Sequence, residues 1–166
     1  SFYSSNLIEK ILNLIKLKLI KIINIYIITM LNLKKLCVGI TSFEMLQEWQ
    51  NNEINNNRQL FHTTRIKPKR SDEILPDGSL YWISKNKFIA RQKIIEFRDV
   101  IRKDGKSACK IIFDSNLYRV ANIPHRPFQG WRYLTEDKVP KDIFKDSNNN
   151  EIPSAMLAEL NEFGIL

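Results

Sequence analysis

The sequence GSLYWISKNKFIARQKIIEFRDVIRKDGKSACKIIF, residues 78–113, has the pattern of a β-hairpin with a further strand before it. Its two long apolar runs are separated by Asp104-Gly105, a dipeptide that suits the tight turn of a two-stranded hairpin. Residues 88–101 also fit a helical stripe of apolar residues. Because the Asp-Gly turn and a second apolar run follow directly, we predict a long strand at 88–101 and its partner at 107–113.

The residues before the hairpin alternate as a strand does. In residues 78–84, Leu80 and Trp82 fall on one face, and Tyr81 and Ile83 fall on the other. Similar runs rich in β-branched and aromatic residues predict strands at 31–40, 60–66, 117–121 and 128–134.

Three helical segments surround the predicted strands. Residues 41–53 open with the capping-box residues Thr41 and Glu44 and place Phe43, Leu46 and Gln50 on one face. A single turn is predicted at 71–75, and a terminal helix at 153–163 after a polar linker at 146–150. Short strands with peripheral helices predict an α+β domain built on a small, mostly antiparallel sheet or on a partly closed β-barrel.

Residues 1–29 differ in composition from the rest, being dominated by Ile, Leu, Lys and Asn. Three lysines interrupt the apolar run, which therefore falls short of the roughly 20 residues that a transmembrane helix needs. The segment also lacks the Arg and the cleavage site of a targeting peptide and the polar face of a membrane-surface helix. We interpret it as an upstream extension outside the fold, and predict one domain at 30–166 with no membrane insertion.

The charge and the thiols limit the classes of partner. Of the net charge of +8, an excess of five positive charges lies in residues 30–166, which favours anionic partners such as RNA or nucleotides; a plain solvated surface is the alternative. Cys37, Cys109, His62 and His125 are too few and too dispersed for a disulfide framework or a zinc site. We predict reduced core cysteines, a cytoplasmic location, and neither a metal nor a cofactor.

The most basic stretch is HTTRIKPKR, residues 62–70. It holds four cations in six positions and is stiffened by a proline, which would suit a row of phosphates. Arginine adds bidentate hydrogen bonds that lysine cannot make. The alternative is a solvated charge run at the end of a strand. The four cations are Arg65, Lys67, Lys69 and Arg70.

A second motif joins Tyr81 and Trp82 to the cations that follow, including Arg91. Aromatic and basic side chains interleaved on a sheet can stack on bases and hold the nucleic-acid backbone. In the alternative interpretation, Trp82 fills the core and only Tyr81 is exposed.

The third motif, PHRPFQGWRYL at residues 124–134, combines two arginines, three aromatic residues and Gly130. The glycine permits a bulge or a close approach of the backbone. Arg126, Trp131 and Arg132 are its candidates for contact with a nucleic acid. A packing motif that pins the sheet is the alternative.

Several separated motifs resemble a bacterial, mostly alphaproteobacterial, family known as domain-of-unknown-function family fourteen eighty-nine. They are MLNLKKLCVGI (30–40), WQ (49–50), FHTTRIKPKRSDEIL (61–75), GSLYWISKNKFIARQKI (78–94) and RPFQGWRYL (126–134). The resemblance covers residue 30 to about 166 and implies a start at Met30, but it implies no function. The chain departs from the family pattern at residues 83–86 and 148–150. A weaker likeness, to PUA-like and ASCH-type domains, implies a PUA-like β-barrel that binds RNA or modified bases; it is an analogy of fold, which does not fix function.

These observations favour a nucleic-acid-binding module, with RNA as the partner. Tyr81 or Trp131 would stack on a base, and the arginines and lysines named above would contact phosphates. One alternative is a small enzyme acting on a nucleoside or modified base through Lys67, Lys69 and Glu73, although no motif assembles a catalytic set. The other is a protein-interaction factor without ligand chemistry.

Overall fold

The computed structural model of the chain describes residues 2–75 and 77–143. The predicted linker at 146–150 and helix at 153–163 lie outside the described residues. In chain order the elements are α1 (Phe2–Thr29), β1 (Leu31–Leu36), α2 (Phe43–Asn55), β2 (Phe61–Thr64), α3 (Ser71–Ile74), β3 (Ser79–Ser84), β4 (Lys87–Ile101), β5 (Ser107–Phe113), β6 (Tyr118–Arg119), β7 (Trp131–Thr135) and a 3₁₀ turn (Glu136–Lys138).

The seven strands form one mixed, mostly antiparallel sheet in which six follow the order β2-β5-β4-β3-β1-β7, and β6 pairs with the first half of β4 on the edge away from β3. Only β1 and β3 pair in parallel among the described strands, as a crossover through α2, β2 and α3 allows. The sheet is not closed into a barrel. The α+β prediction is confirmed, and the open sheet, not the barrel, is the architecture observed.

The long strand β4 connects the two halves of the sheet. Its first half pairs with β3 and its second half with β5, and the register shifts in both pairings. Such irregularities bend a strand and increase its twist. The hairpin prediction is confirmed: Arg102 N donates to Lys106 O at 2.8 Å, and Gly105 takes a φ of 77° in the turn.

The α2 helix begins one residue later than its sequence pattern predicts. Ser42, not Thr41, is the N-cap, and its hydroxyl accepts from Met45 N at 3.2 Å. Thr41 has the glutamate three residues later that a capping box requires, but the backbone selects Ser42 because its extended φ and ψ aim the side chain at the first turn. The predicted face of Phe43, Leu46 and Gln50 is confirmed as the buried face.

Apolar clusters cover both faces of β3. Leu80 and Trp82 belong to the larger cluster, with α2 and the β4–β5 hairpin, whereas Tyr81 and Ile83 belong to a smaller one. The predicted alternation is therefore confirmed. The smaller cluster exists because residues near β6, β7 and the 3₁₀ turn fold over the second face of the sheet.

The α1 helix exposes every side chain from residue 7 to residue 25. None of the described helices, α1 included, has the length and apolar character that crossing a membrane requires. The interpretation of residues 1–29 as an extension outside the fold stays a prediction.

Candidate nucleic-acid groove

The segment after β2 crosses over to β7, at the far end of the strand order. The Trp131 indole nitrogen donates to the Ile66 carbonyl at 2.9 Å. Four residues later, the Arg70 backbone N–H donates to the Tyr133 hydroxyl at 3.1 Å. These two hydrogen bonds fix residues 65–70 against β7. A groove lies between the end of β2 and β7.

The groove has a volume of about 860 Å³ and draws its walls from three separate parts of the chain. Residues 62–66 form one wall, residues 129–133 form another, and Lys35 projects from β1. In the β1–β7 pairing Lys35 lies opposite Trp131, so both side chains point to the same face of the sheet. The first and third sequence motifs therefore converge on one surface.

Three cations at or beside the groove carry charge that the described residues do not neutralise. No ion pair within residues 2–75 and 77–143 involves Lys35, Arg65 or Lys69. Arg65 and Lys69 are exposed, whereas Lys35 is half-buried. Burial lowers the pKa of the Lys35 ammonium, because desolvation disfavours the charged form. An anion in the groove would compensate for that desolvation.

The other two cations of the basic stretch are held by carboxylates. Lys67 pairs with Asp99 at 3.0 Å, and Arg70 forms two hydrogen bonds to the Glu73 carboxylate while lying 5.5 Å from the centre of the Tyr133 ring. Ion pairs this exposed are weak, so a phosphate could replace either carboxylate. Lys67 and Glu73 thus have different ion-pair partners.

Trp131 supplies an aromatic surface beside the cations. Its ring is half-buried and meets the Tyr133 ring edge-on, with 5.0 Å between the ring centres. Because its N–H group is hydrogen-bonded to Ile66, the indole is held in one orientation. A fixed ring next to unpaired cations is an arrangement that can stack on a base while its phosphate is bound.

Tyr81 and Arg91, the second predicted motif, lie on the opposite face of the sheet. Tyr81 is only 4% exposed and packs edge-on against Phe88. Arg91 makes a two-pronged ion pair with Asp142 and lies 4.5 Å from the Tyr118 ring. The expectation that Tyr81 would be exposed is wrong, because the smaller apolar cluster covers its face of β3. Trp82 does fill the core, as the alternative interpretation states.

The two remaining candidates are both exposed but differ in position. Arg132 contributes to the groove wall, although its guanidinium lies against Phe128, 6.0 Å from the ring centre. Arg126 is not among the residues that form the groove. The structure thus brings Arg65 and Trp131 together, with Lys69 and Arg70 following on the same segment, whereas the Arg132 side chain points to the opposite face of β7.

Sequence patterns did not identify Lys35 as a groove residue, although a signal exists. In LNLKKL, residues 31–36, Leu31, Leu33 and Lys35 share one face of the strand, and the first two are buried. A lysine on the same strand face as two core residues is unusual, because burial disfavours its charged form. That position indicates either a partner carboxylate or a site for an anion.

His62, next to Lys35, is a neutral imidazole at neutral pH. Burial, with a smaller contribution from the charge of Lys35, lowers the pKa of His62 to about 4. Its ring lies edge-on to Trp82, with 6.3 Å between the ring centres, and no described residue hydrogen-bonds to it. A neutral imidazole offers one donor and one acceptor to a ligand.

The low pKa of His62 predicts a loss of stability in mild acid. Between about pH 6.5 and pH 4 the unfolded chain binds a proton at this ring that the folded chain does not, so stability falls as the pH falls through this window and is unaffected above it. After allowance for partial exposure, the contribution is roughly 1–2 kcal/mol. His62→Gln should therefore lose less stability than the unsubstituted chain between about pH 7 and pH 4.5, measured by urea unfolding. An identical loss in both proteins would contradict the burial of His62 as a neutral ring.

Comparison with known proteins identifies the family and adds no relative of known activity. No curated protein and no solved structure matches the chain significantly. One family profile, described as protein of unknown function (DUF1489), matches residues 33–166. The match begins at the third residue of β1 and includes all the later strands and helices. The chain therefore belongs to the DUF1489 family.

Proposed function

We propose that this protein is a nucleic-acid-binding module that holds single-stranded RNA along the groove between residues 62–66 and β7. The observation that carries the proposal is that Lys35, Arg65 and Trp131, from three separate segments, meet in one groove. Cations without carboxylate partners beside a fixed aromatic ring match the chemistry of an unpaired strand, which offers phosphates and bare base faces together.

The groove favours an unpaired strand over a duplex. Reading a duplex commonly requires a helix or a two-stranded ribbon that enters a groove of the nucleic acid, whereas the cations here line a concave surface. Trp131 and Tyr133 can stack only on bases that are not already stacked within a helix. Single-stranded RNA is accordingly the probe of choice, with single-stranded DNA of the same sequence as the comparison.

The experiment is a binding titration of fluorescently labelled single-stranded RNA, followed by anisotropy at several salt concentrations. With three or four phosphates engaged, each contributing about 0.7 to the salt slope, affinity should fall roughly 20- to 50-fold between about 50 and 200 mM salt. Arg65→Gln/Lys69→Gln should weaken binding at least about tenfold at low salt and reduce the slope by about 1.4, because two phosphate contacts are lost.

The matched control removes the same charge elsewhere. Lys103 and Lys106 are exposed in the β4–β5 turn and do not form the groove. Lys103→Gln/Lys106→Gln should change the affinity by less than about twofold, since distant exposed charges are screened by salt. Equal weakening by the two double variants, or an affinity independent of salt, would refute the proposal.

A further inference from the structure

A second cavity of about 360 Å³ adjoins the groove, and Lys35 and His62 form part of both. This volume is within the range of small-molecule sites, roughly 300–1,000 Å³. The cavity lies between α2 and the sheet, and its other wall residues come from α2, β1, β2, β3, β5 and the loop after β1. An occupant of this cavity would therefore be in direct reach of anything bound in the groove.

Four aromatic side chains line the second cavity. Trp82 and Phe113 are buried and meet edge-on, with 5.7 Å between their ring centres. Trp49 and Phe61, which also line the cavity, are 44% and 39% exposed. Two buried rings and two partly exposed rings present flat apolar surface to a ligand. In a closed hydrophobic core all four rings would be buried.

The polar groups of this cavity lie on its border with the groove. His62 offers a neutral imidazole, and the Lys35 ammonium has no ion pair within the described residues. Burial raises the pKa of the nearby Cys37 thiol to about 11, so this wall carries no negative charge at neutral pH. The occupant should thus combine a flat apolar body with polar edges and an attached anion.

We infer that the second cavity receives one unpaired base of the bound RNA, with Trp49 as a stacking wall and His62 facing the polar edge of the base. This inference rests on the proposed function and specifies how the same site is used. Lys35 stands where the phosphate of the inserted nucleotide would pass from the groove into the cavity. A base fits the chemistry because it is flat, has hydrogen-bonding edges and is attached to a phosphate chain.

The test separates the contribution of bases from that of phosphates. Two labelled strands of equal length are compared, one intact RNA and one lacking all its bases. Trp49→Ala should weaken binding of the intact strand roughly 5- to 100-fold and leave binding of the baseless strand within about twofold. It should also leave the salt slope unchanged, since no phosphate contact is removed.

Met45→Ala is the matched control, because Met45 is an exposed residue one turn earlier on α2 and does not line the cavity. It should change neither affinity. If Trp49→Ala has no effect, or weakens both strands equally, the base pocket is overturned while salt-dependent binding through Arg65 and Lys69 still supports the proposed function. If the unsubstituted protein shows no salt-dependent RNA binding, both the pocket and the proposed function fail.

Discussion

Replacing Gly78 by alanine should lower the free energy of unfolding by about 3 kcal/mol, a large part of the roughly 5–15 kcal/mol that holds a typical domain folded. Gly78 links α3 to β3 and is buried, and its N–H donates to the Ile74 carbonyl at 2.6 Å. A Cβ atom here would lie 2.5 Å from the carbonyl oxygens of both Ile74 and Leu31. These are backbone atoms of two different elements, so a rotamer change cannot relieve the clash.

Thermal unfolding measures this effect, with Gly105→Ala as the control. Gly105 lies in the β4–β5 turn with a φ of 77° and has open space around its Cα. Alanine there meets only the left-handed backbone penalty of about 1–2 kcal/mol. The melting temperature of Gly78→Ala should fall by roughly 6–12 °C, clearly more than that of Gly105→Ala. The reverse order would contradict the close approach of β1, α3 and Gly78.

Gln92→Leu should destabilise the fold by roughly 3–5 kcal/mol, because it removes the centre of a buried polar network. Gln92 is fully buried on β4 and exchanges two hydrogen bonds of 2.7 Å with the Gln50 amide. Its oxygen also accepts from the Trp82 indole at 2.9 Å, and its nitrogen donates to the Asp114 carbonyl at 2.9 Å. Leucine keeps the approximate volume but leaves these polar groups buried without partners.

A double-mutant cycle shows whether the amides act as a pair. Gln50→Leu/Gln92→Leu replaces both amides with apolar groups, so the loss should be smaller than the sum of the single losses by at least about 1 kcal/mol. Chemical denaturation of the four proteins supplies the free energies. Strict additivity would show that α2 and β4 do not interact through these side chains.

Features that depend on neighbouring residues could be predicted from the sequence. The β4–β5 hairpin follows from the Asp104-Gly105 turn between apolar runs, and the opposite directions of Tyr81 and Trp82 follow from the alternation of a strand. The sequence pattern likewise predicts a single helical turn at 71–75, and α3 is observed at Ser71–Ile74. Local backbone chemistry determines each of these features.

Features that depend on distant residues could not be predicted. The parallel pairing of β1 with β3 joins segments separated by two helices and a strand, and turn chemistry carries no signal for it. The burial of Tyr81 depends on residues near Val120 and Leu134 covering its face of the sheet. Gln50 was placed correctly on the buried face of α2, but its partner Gln92 lies 42 residues away.

The candidate site was predicted in part for the same reason. Each basic or aromatic motif was visible in the sequence, yet their convergence depends on the hydrogen bond from Trp131 to Ile66, which spans 65 residues. Arg91 resembles Arg65 as a cation near aromatic residues in the sequence, but the strand register places it opposite Tyr81 on the other face, where it pairs with Asp142. The position of Lys35 is distinctive only after the strand has been assigned a buried face.

Photo-crosslinking of the full chain to single-stranded RNA, followed by identification of the crosslinked peptides, tests where the nucleic acid lies. A groove that holds the strand predicts crosslinks in residues 62–70 and 129–133, together with Trp49 on α2, and their loss at high salt. Crosslinks concentrated around Arg91 and Tyr118, or in the β4–β5 turn, would place the nucleic acid on another surface and contradict the groove as its binding site.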